Sequence, residues 1–461
     1  EVSGIIKKTP IFAEYEEWNL ANPQHFNQSI MLYTKEQVED DIVESSVQKL
    51  MEHHDALRMV KEQDTYRIRT VGEGVMYTFH SYDVSNEKQE AEEILRLSQE
   101  LQRKMDLTNG PLVQVACYHT STGSHVLFVI HHLVVDAVSW NIILEDFISG
   151  YEQYKKNGTI ELAKKTASYM EYATVVSEYA QSNQLQKEIP YWVDISKKSM
   201  QAIDDSSNLL VAQLIKRKQE ESIPARTYTV TLEEQRTSQL LGEAIESYHC
   251  EPQDLLLASV GLAVKNWCGL SHVPVMIEGH GREEFHRSCK IDRTVGWFTC
   301  VYPVVIEEKE TLKEYIIETK ETLRKIPNNG VGYGIIKHNT TQDVSVNSMF
   351  GFNYFGVLGE ELTSEAGFTR SKYATGDDVA PNNVVGSKIS MNFSVREHQL
   401  EGIITIQGSR VEREEELQLC LSQAINEVMN HCMGMTESVE TASDYDDELS
   451  SDVFDEIMDM F

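Results

Sequence analysis

The chain reads as an α/β protein of two lobes, and three observations predict this. Its 461 residues exceed the roughly 250 to 300 at which a single core stops growing. Apolar runs of strand length alternate with segments of helical period. Each half of the chain also brings acid/base side chains to a strand end, the place where open α/β sheets hold ligands.

In the first half, "HVLFVI" is an unbroken apolar run that reads as a strand buried on both faces. After it, Trp140, Ile143, Leu144, Phe147, Ile148 and Tyr151 recur at helical spacing, and "KKNG" supplies basic residues and a glycine stop at Gly158. Between strand and helix lies "HHLVVDAVSW", residues 131 to 140. In the second half, "PQDLLLASVGLAVKNWCG" reads as a buried helix stopped by Gly269. "VPVMIEGHG" follows as a strand in which Val273, Val275 and Ile277 alternate before Glu278. The polar stretch 190 to 224 is expected to cross between lobes, and 363 to 388, rich in Gly, Ser, Asn and Asp, to form long loops lining a site.

Composition narrows the function classes. A 41% hydrophobic and 25% charged content suits a soluble globular chain, and no apolar run approaches the roughly 18 residues that span a bilayer. The start "EVSGIIKKTP" lacks a signal-peptide pattern and looks like a cut from a longer chain. Seven scattered cysteines without a C-x-x-C pair suit reduced thiols, so a cytoplasmic location is expected. A net charge of -32 argues against nucleic acid and for protein or small-molecule partners. Ten of the negative charges fall in residues 435 to 461, which carry no Lys or Arg and form a separate compositional unit.

The residues of "HHLVVDAVSW" limit its chemistry. Adjacent histidines on an extended segment point to opposite faces, which disfavours joint chelation of a metal by His131 and His132. Ser139 lacks the G-x-S-x-G elbow and is more simply a helix cap. What survives is one histidine acting as acid or base while its neighbour serves as buried scaffold. Asp136 is either a base or half of a buried ion pair shaping the loop. Glu278 is either a second proton-transfer group or a partner of Arg282 or another base. The glycines of "GVGYG" (330, 332, 334) suit close backbone approach, because no P-loop pattern follows them.

"HHLVVDAVSW" resembles the H-H-x-x-x-D-x-x-S-W motif of epimerization domains in the condensation superfamily of nonribosomal peptide synthetases. Further motifs of that family follow in order: "DLLLASVG", "EGHGREE", "RTVGWFTCVYP", "PNNGVGYG" and "FNYFG". Upstream, "HFNQS", "HDALR" and "DLTNGPL" are also similar, so the likeness spans nearly all but the acidic tail. "EGHGREE" and "RTVGWFT" are the motifs that separate epimerization domains from condensing relatives. Two departures stand out: Ala137 replaces the usual glycine, and the first motif, "PIFAEYEEW", is degenerate. Ala137 is harmless at negative φ and damaging if the turn needs positive φ.

The resemblance implies two chloramphenicol-acetyltransferase-like lobes forming a V-shaped pseudo-dimer with a central tunnel. The expected division is 1–190 for the N-terminal lobe, 191–434 for the C-terminal lobe and 435–461 for an acidic docking tail. It implies epimerization at Cα of an L-aminoacyl or L-peptidyl thioester to an L/D mixture, with His132 and Glu278 facing each other across the tunnel. Asn353 and Tyr354 would border the same site. His131, Asp136 and Arg293 would be structural, Asp136 pairing with Arg293. The domain itself would bind neither cofactor nor metal; 4'-phosphopantetheine would arrive on an upstream peptidyl carrier domain.

"ELSSDVFDEIMDMF" (448 to 461) places Leu449, Val453, Ile457 and Phe461 at four-residue spacing, an apolar face among acidic residues. Such a segment resembles those that dock a downstream synthetase, and the domain is expected to be a monomeric part of a larger chain. Two rival readings remain: a condensing acyltransferase in which His132 deprotonates an amine and Glu278 is dispensable, and a catalytically silent docking module.

Overall fold

A computed structural model describes residues 2–86, 88–204, 209–215, 223–283, 289–347, 349–358 and 365–445. The chain forms two compact units. Unit 1 holds 1–183, 280–300 and 360–383, and unit 2 holds 184–279, 301–359 and 384–461. The contiguous division expected at 190 is therefore corrected: two later segments are built into the first unit.

Unit 1 is organised on a mixed five-stranded sheet. Its main strands are β1 (Asn27–Thr34), β2 (Thr78–Asp83), β3 (Val113–Thr120) and β4 (Gly123–His131). The order is Thr369–Arg370, β1, β4, β3, β2. β4 is antiparallel to β1 and β3, and β2 runs parallel to β3. Every residue of β4 is buried because both faces are covered. Leu127 and Val129 pack with Ile94, Leu97 and Leu101 of helix α1 (Glu90–Gln102). On the other face Phe128 meets Phe147 of α2 (Ala137–Asn157) edge-on at 4.9 Å. Gly158 ends α2 at φ 69°, the left-handed stop its position predicts. The 365–383 segment is mostly irregular, as expected, but it borders β1 through Thr369–Arg370 and a bridge between Phe26 and Val379.

Unit 2 begins with α3 (Asn183–Asp204), where a polar crossing was expected. Leu185, Glu188, Trp192, Ile195 and Ser199 form its buried stripe. The six-stranded sheet of this unit contains β5 (Arg226–Leu232), β6 (His272–Gly279), β7 (Cys300–Glu307), β8 (Phe350–Val357), β9 (Ile389–Arg396) and β10 (Gln399–Ile406). Their order is β7, β6, β8, β9, β10, β5. β6, β8 and β9 are mutually parallel, so their C-terminal ends lie together. The expected buried helix is α4 (Pro252–Cys268), opened by Pro252 and a capping box between Glu251 and Asp254, and stopped at Gly269.

The motif glycines 330 and 332 serve close packing. A Cβ at Gly330 would run into the Tyr302 ring, and one at Gly332 into the Glu188 carboxylate. Residues 446–461, including the docking segment proposed at 448–461, lie outside the described residues. Residues 435–445 belong to unit 2 rather than to a separate tail. Asp444 bonds the buried Lys320 ammonium at 2.6 Å, and Thr441 bonds Glu321.

Candidate functional site

β4 carries its two histidines out of the sheet in opposite roles. His131 closes the strand fully buried, its Nε2 2.8 Å from the Pro23 carbonyl while its Nδ1 accepts from Leu133 N at 3.2 Å. Burial pushes this imidazole down to about 3, so it is a neutral scaffold. His132 opens a short 3-10 turn and is only half-buried. Its ring stacks on Phe26 at 5.0 Å and lies 4.6 Å from Trp297. Tyr15 and Trp18, from the degenerate first motif, pack against the same Phe26 and Trp297, so that motif still supplies the aromatic wall. His132 Nδ1 faces the Val135 carbonyl at 3.0 Å, which assigns the ring proton to Nδ1 and leaves Nε2 as the basic nitrogen. Burial lowers its pKa, against the opposing pull of backbone carbonyls and the Asp136 charge.

Asp136 is the N-cap of α2. It accepts from Ser139 N at 2.7 Å and Phe298 N at 3.1 Å, and pairs with Arg282 Nη2 at 3.0 Å. This corrects two expectations. The cap is Asp136, whereas the Ser139 hydroxyl donates to the Gly296 carbonyl. The ion-pair partner is Arg282, whose guanidinium also reaches the Ile291 and Thr294 carbonyls and lies 4.0 Å over the Phe298 ring. Arg293 instead bonds Asp146 at 2.7 Å and Glu145 at 2.8 Å. Ten residues of helix separate Asp136 from Asp146, roughly 15 Å of axis, so one arginine cannot serve both. His53, His54 and Asp146 bring ligand atoms within 4.8 Å of one another, but Arg293 already supplies the cation to that carboxylate.

Ala137 is the first residue of α2 and is absent from the positive-φ positions, so the departure from glycine introduces no strain.

In unit 2, Glu278 stands at the C-terminal end of β6. The register pairs Ile277 with Phe352, and Asn353 with Asn392, so Glu278, Asn353 and Asn392 follow one another across three parallel strands on one sheet face. Asn353 Nδ2 donates to Asn392 Oδ1 at 3.2 Å. Glu278 remains accessible to solvent, yet the protein around it raises its carboxyl above the ordinary value, partly offset by a hydrogen bond from Asn353. Strand alternation puts Tyr354 on the opposite face from Asn353, and burial together with the Glu251 charge raises its phenol. The structure thus joins Glu278 to Asn353 and separates both from Tyr354.

Gln28, Trp140 and Asn392 were not singled out from sequence as site residues, and Arg282, weighed there as a partner for Glu278, pairs with Asp136 instead. Asn392 had a faint signal, a polar residue between the buried Met391 and Phe393 of an alternating strand. Gln28 lay within the quoted "HFNQS" but carried no distinguishing chemistry until its partners were known.

Residues 15–449 match the model of the condensation domain family. Tyrocidine synthase 2 of Brevibacillus parabrevis is 36% identical over 99% of the chain, which spans 13% of that synthase. Tyrocidine synthase 1 of the same organism is 34% identical over 96% of the chain, which spans 42% of it. Among solved structures, the epimerization domain from the third module of tyrocidine synthetase B is 33% identical, with a TM-score of 0.78 over 94% of this chain and 97% of that one. The first condensation domain of the calcium-dependent antibiotic synthetase shares the fold at 12% identity, with a TM-score of 0.67 over 95% of this chain and 98% of that one. With its motifs in order and both units built on mixed α/β sheets, the chain belongs to the condensation domain family.

Proposed function

We propose that this domain epimerises the Cα of an aminoacyl or peptidyl thioester presented on the phosphopantetheine arm of a carrier domain. The observation that carries the reading is Glu278, an accessible carboxyl of raised pKa held by Asn353 at the end of a parallel strand. A condensing enzyme needs one base to activate an amine, whereas inversion of a carbon needs two proton-transfer groups. Likeness to the epimerization domain of tyrocidine synthetase B supports the same reading.

The chemistry follows from the protonation states. His132 rests neutral with its basic nitrogen at Nε2, and a raised carboxyl favours retention of the Glu278 proton. In the proposed cycle the two groups carry one transferable proton between them. In one direction His132 takes the Cα proton, the bonding electrons pass into the thioester enolate, and Glu278 delivers its proton to the other face. In the reverse direction Glu278, now a carboxylate, abstracts and the imidazolium returns the proton. Asn353 positions Glu278, and His131 and Asp136 hold the loop that carries His132. The acidic segment 448–461 is assigned to docking a downstream synthetase.

The test is incubation of the domain with a carrier bearing an L-aminoacyl or L-peptidyl thioester in D2O, measuring deuterium at Cα and the chirality of the released residue. Deuterium with D-product is expected, and Glu278→Gln should lose exchange while keeping its denaturation midpoint. Peptide bond formation without exchange would establish the condensing reading, and wild-type exchange by Glu278→Gln would refute the two-group mechanism.

A further inference from the structure

The amide of Gln28 lies against the basic nitrogen of His132, with its Nε2 2.9 Å from the imidazole Nε2. Its other end accepts from the Trp140 indole, Nε1 to Oε1 at 2.8 Å. An indole N–H can only donate, so it fixes Oε1 as the acceptor and turns the amide N–H toward His132. The imidazole nitrogen facing a donor must itself accept. Val135 independently claims a proton on Nδ1. The two ends of the ring thus agree on a single tautomer.

The fold makes this relay a consequence of register. Gln28 pairs with Ile130 across β1 and β4, one strand position before His131. Trp140 sits in the first turn of α2, 5% exposed, where the Asp136 cap fixes the entry of the helix. The His132 backbone N donates to the Phe26 carbonyl at 2.8 Å, tying the same strand to the loop.

We propose that Gln28 and Trp140 are positioning residues that hold His132 in its neutral Nδ1–H form, the Gln28 amide occupying the Nε2 lone pair until the substrate proton displaces it. The role rests on the epimerase reading only for its catalytic consequence. Protonation of Nε2 would set two donors against each other, and the amide cannot rotate to relieve this without facing Trp140 donor to donor. The relay therefore disfavours the imidazolium, so His132 returns its proton readily after each transfer.

The test pairs a tautomer readout with kinetics. Nitrogen NMR of the [15N]histidine-labelled chain should show His132 Nε2 as a pyridine-type nitrogen in the wild type. Gln28→Glu replaces the donor with an acceptor and should shift the proton to Nε2 and move the acid limb of the kcat profile to higher pH. Trp140→Phe should give mixed tautomers. Gln28→Leu removes the donor that opposes protonation of Nε2 and should move the acid limb of the kcat profile to higher pH, with the proton kept on Nδ1 by Val135. An Nε2 signal unchanged in Gln28→Glu and Trp140→Phe, with midpoints showing both folded, would overturn the proposal. The stated tautomer changes in the variants, together with no Cα exchange by the wild-type chain, would leave it standing and defeat the epimerase reading instead.

Discussion

Substitution of Arg282 by leucine should destabilise the domain more than the same change at Arg293. Asp136 is 3% exposed, and without Arg282 it keeps, among the described residues, the backbone donors of Ser139 and Phe298. Breaking a buried pair from one side costs about 3 to 5 kcal/mol, and the Ile291 and Thr294 carbonyls lose their donor as well, so the upper part of that range applies. Arg293 is partly exposed, and its partner Asp146 keeps a 2.8 Å contact with His54. Its removal should cost only about 1 to 2 kcal/mol, between the values for surface and buried pairs.

Urea denaturation followed by tryptophan fluorescence reads this directly, since Trp297 lies in the same unit. Asp136→Asn keeps an oxygen for the Ser139 amide and removes the charge. The cycle Asp136→Asn with Arg282→Leu should then show a coupling of at least about 2 kcal/mol. An Arg293→Leu loss equal to or larger than that of Arg282→Leu, or additive behaviour in the cycle, would refute the assignment of the ion pair.

Three further outcomes follow from the same geometry. Truncation after Met435 removes Asp444, the carboxylate paired with the 1% exposed Lys320, and should cost about 3 to 5 kcal/mol in urea denaturation. Ala137→Gly should lower stability by up to about 1 kcal/mol, with Cα exchange unaffected, because Ala137 is an exposed residue in the first turn of a helix. Acid should weaken the fold through His131: its folded pKa of about 3 lies below the unfolded value near 6.5, so the unfolded state binds the extra proton. Its contribution is intact above pH 6.5 and lost as pH falls toward 3, about 2 kcal/mol of it by pH 5; thermal midpoints of His131→Gln should fall less steeply over that range.

β4 and α2 were legible because burial on both faces leaves an unbroken apolar run, and because a helix between sheet and solvent needs an apolar stripe and a stop. α4 was legible for the same reason. The partner of Asp136 was not, since Arg282 and Arg293 lie in adjacent motifs and spacing cannot say which reaches back along α2. α3 was hidden by Pro190 within it and by a stripe broken with Glu188, Ser196 and Ser199, which read as polar until their burial was known. The acidic composition of 435–461 suggested one tail, although charge does not prevent Asp444 from being the counterion of a buried lysine. Asn353 and Tyr354 were adjacent in a motif, yet adjacency in a strand is what sends them to opposite faces.

The "EGHGREE" motif shows why motif membership and chemical role must be separated. Its first residue, Glu278, closes a strand of unit 2 with a carboxyl of raised pKa. Four residues later Arg282 belongs to unit 1, where it braces the loop that presents His132. Loss of activity at either position would look alike in an endpoint assay. The physical demands differ: Glu278→Gln preserves size and hydrogen bonding while removing a proton acceptor, whereas Arg282→Leu removes a buried countercharge. Stability should therefore move with the second and, on the proposed epimerase reading, exchange with the first, because two different constraints meet in one short segment.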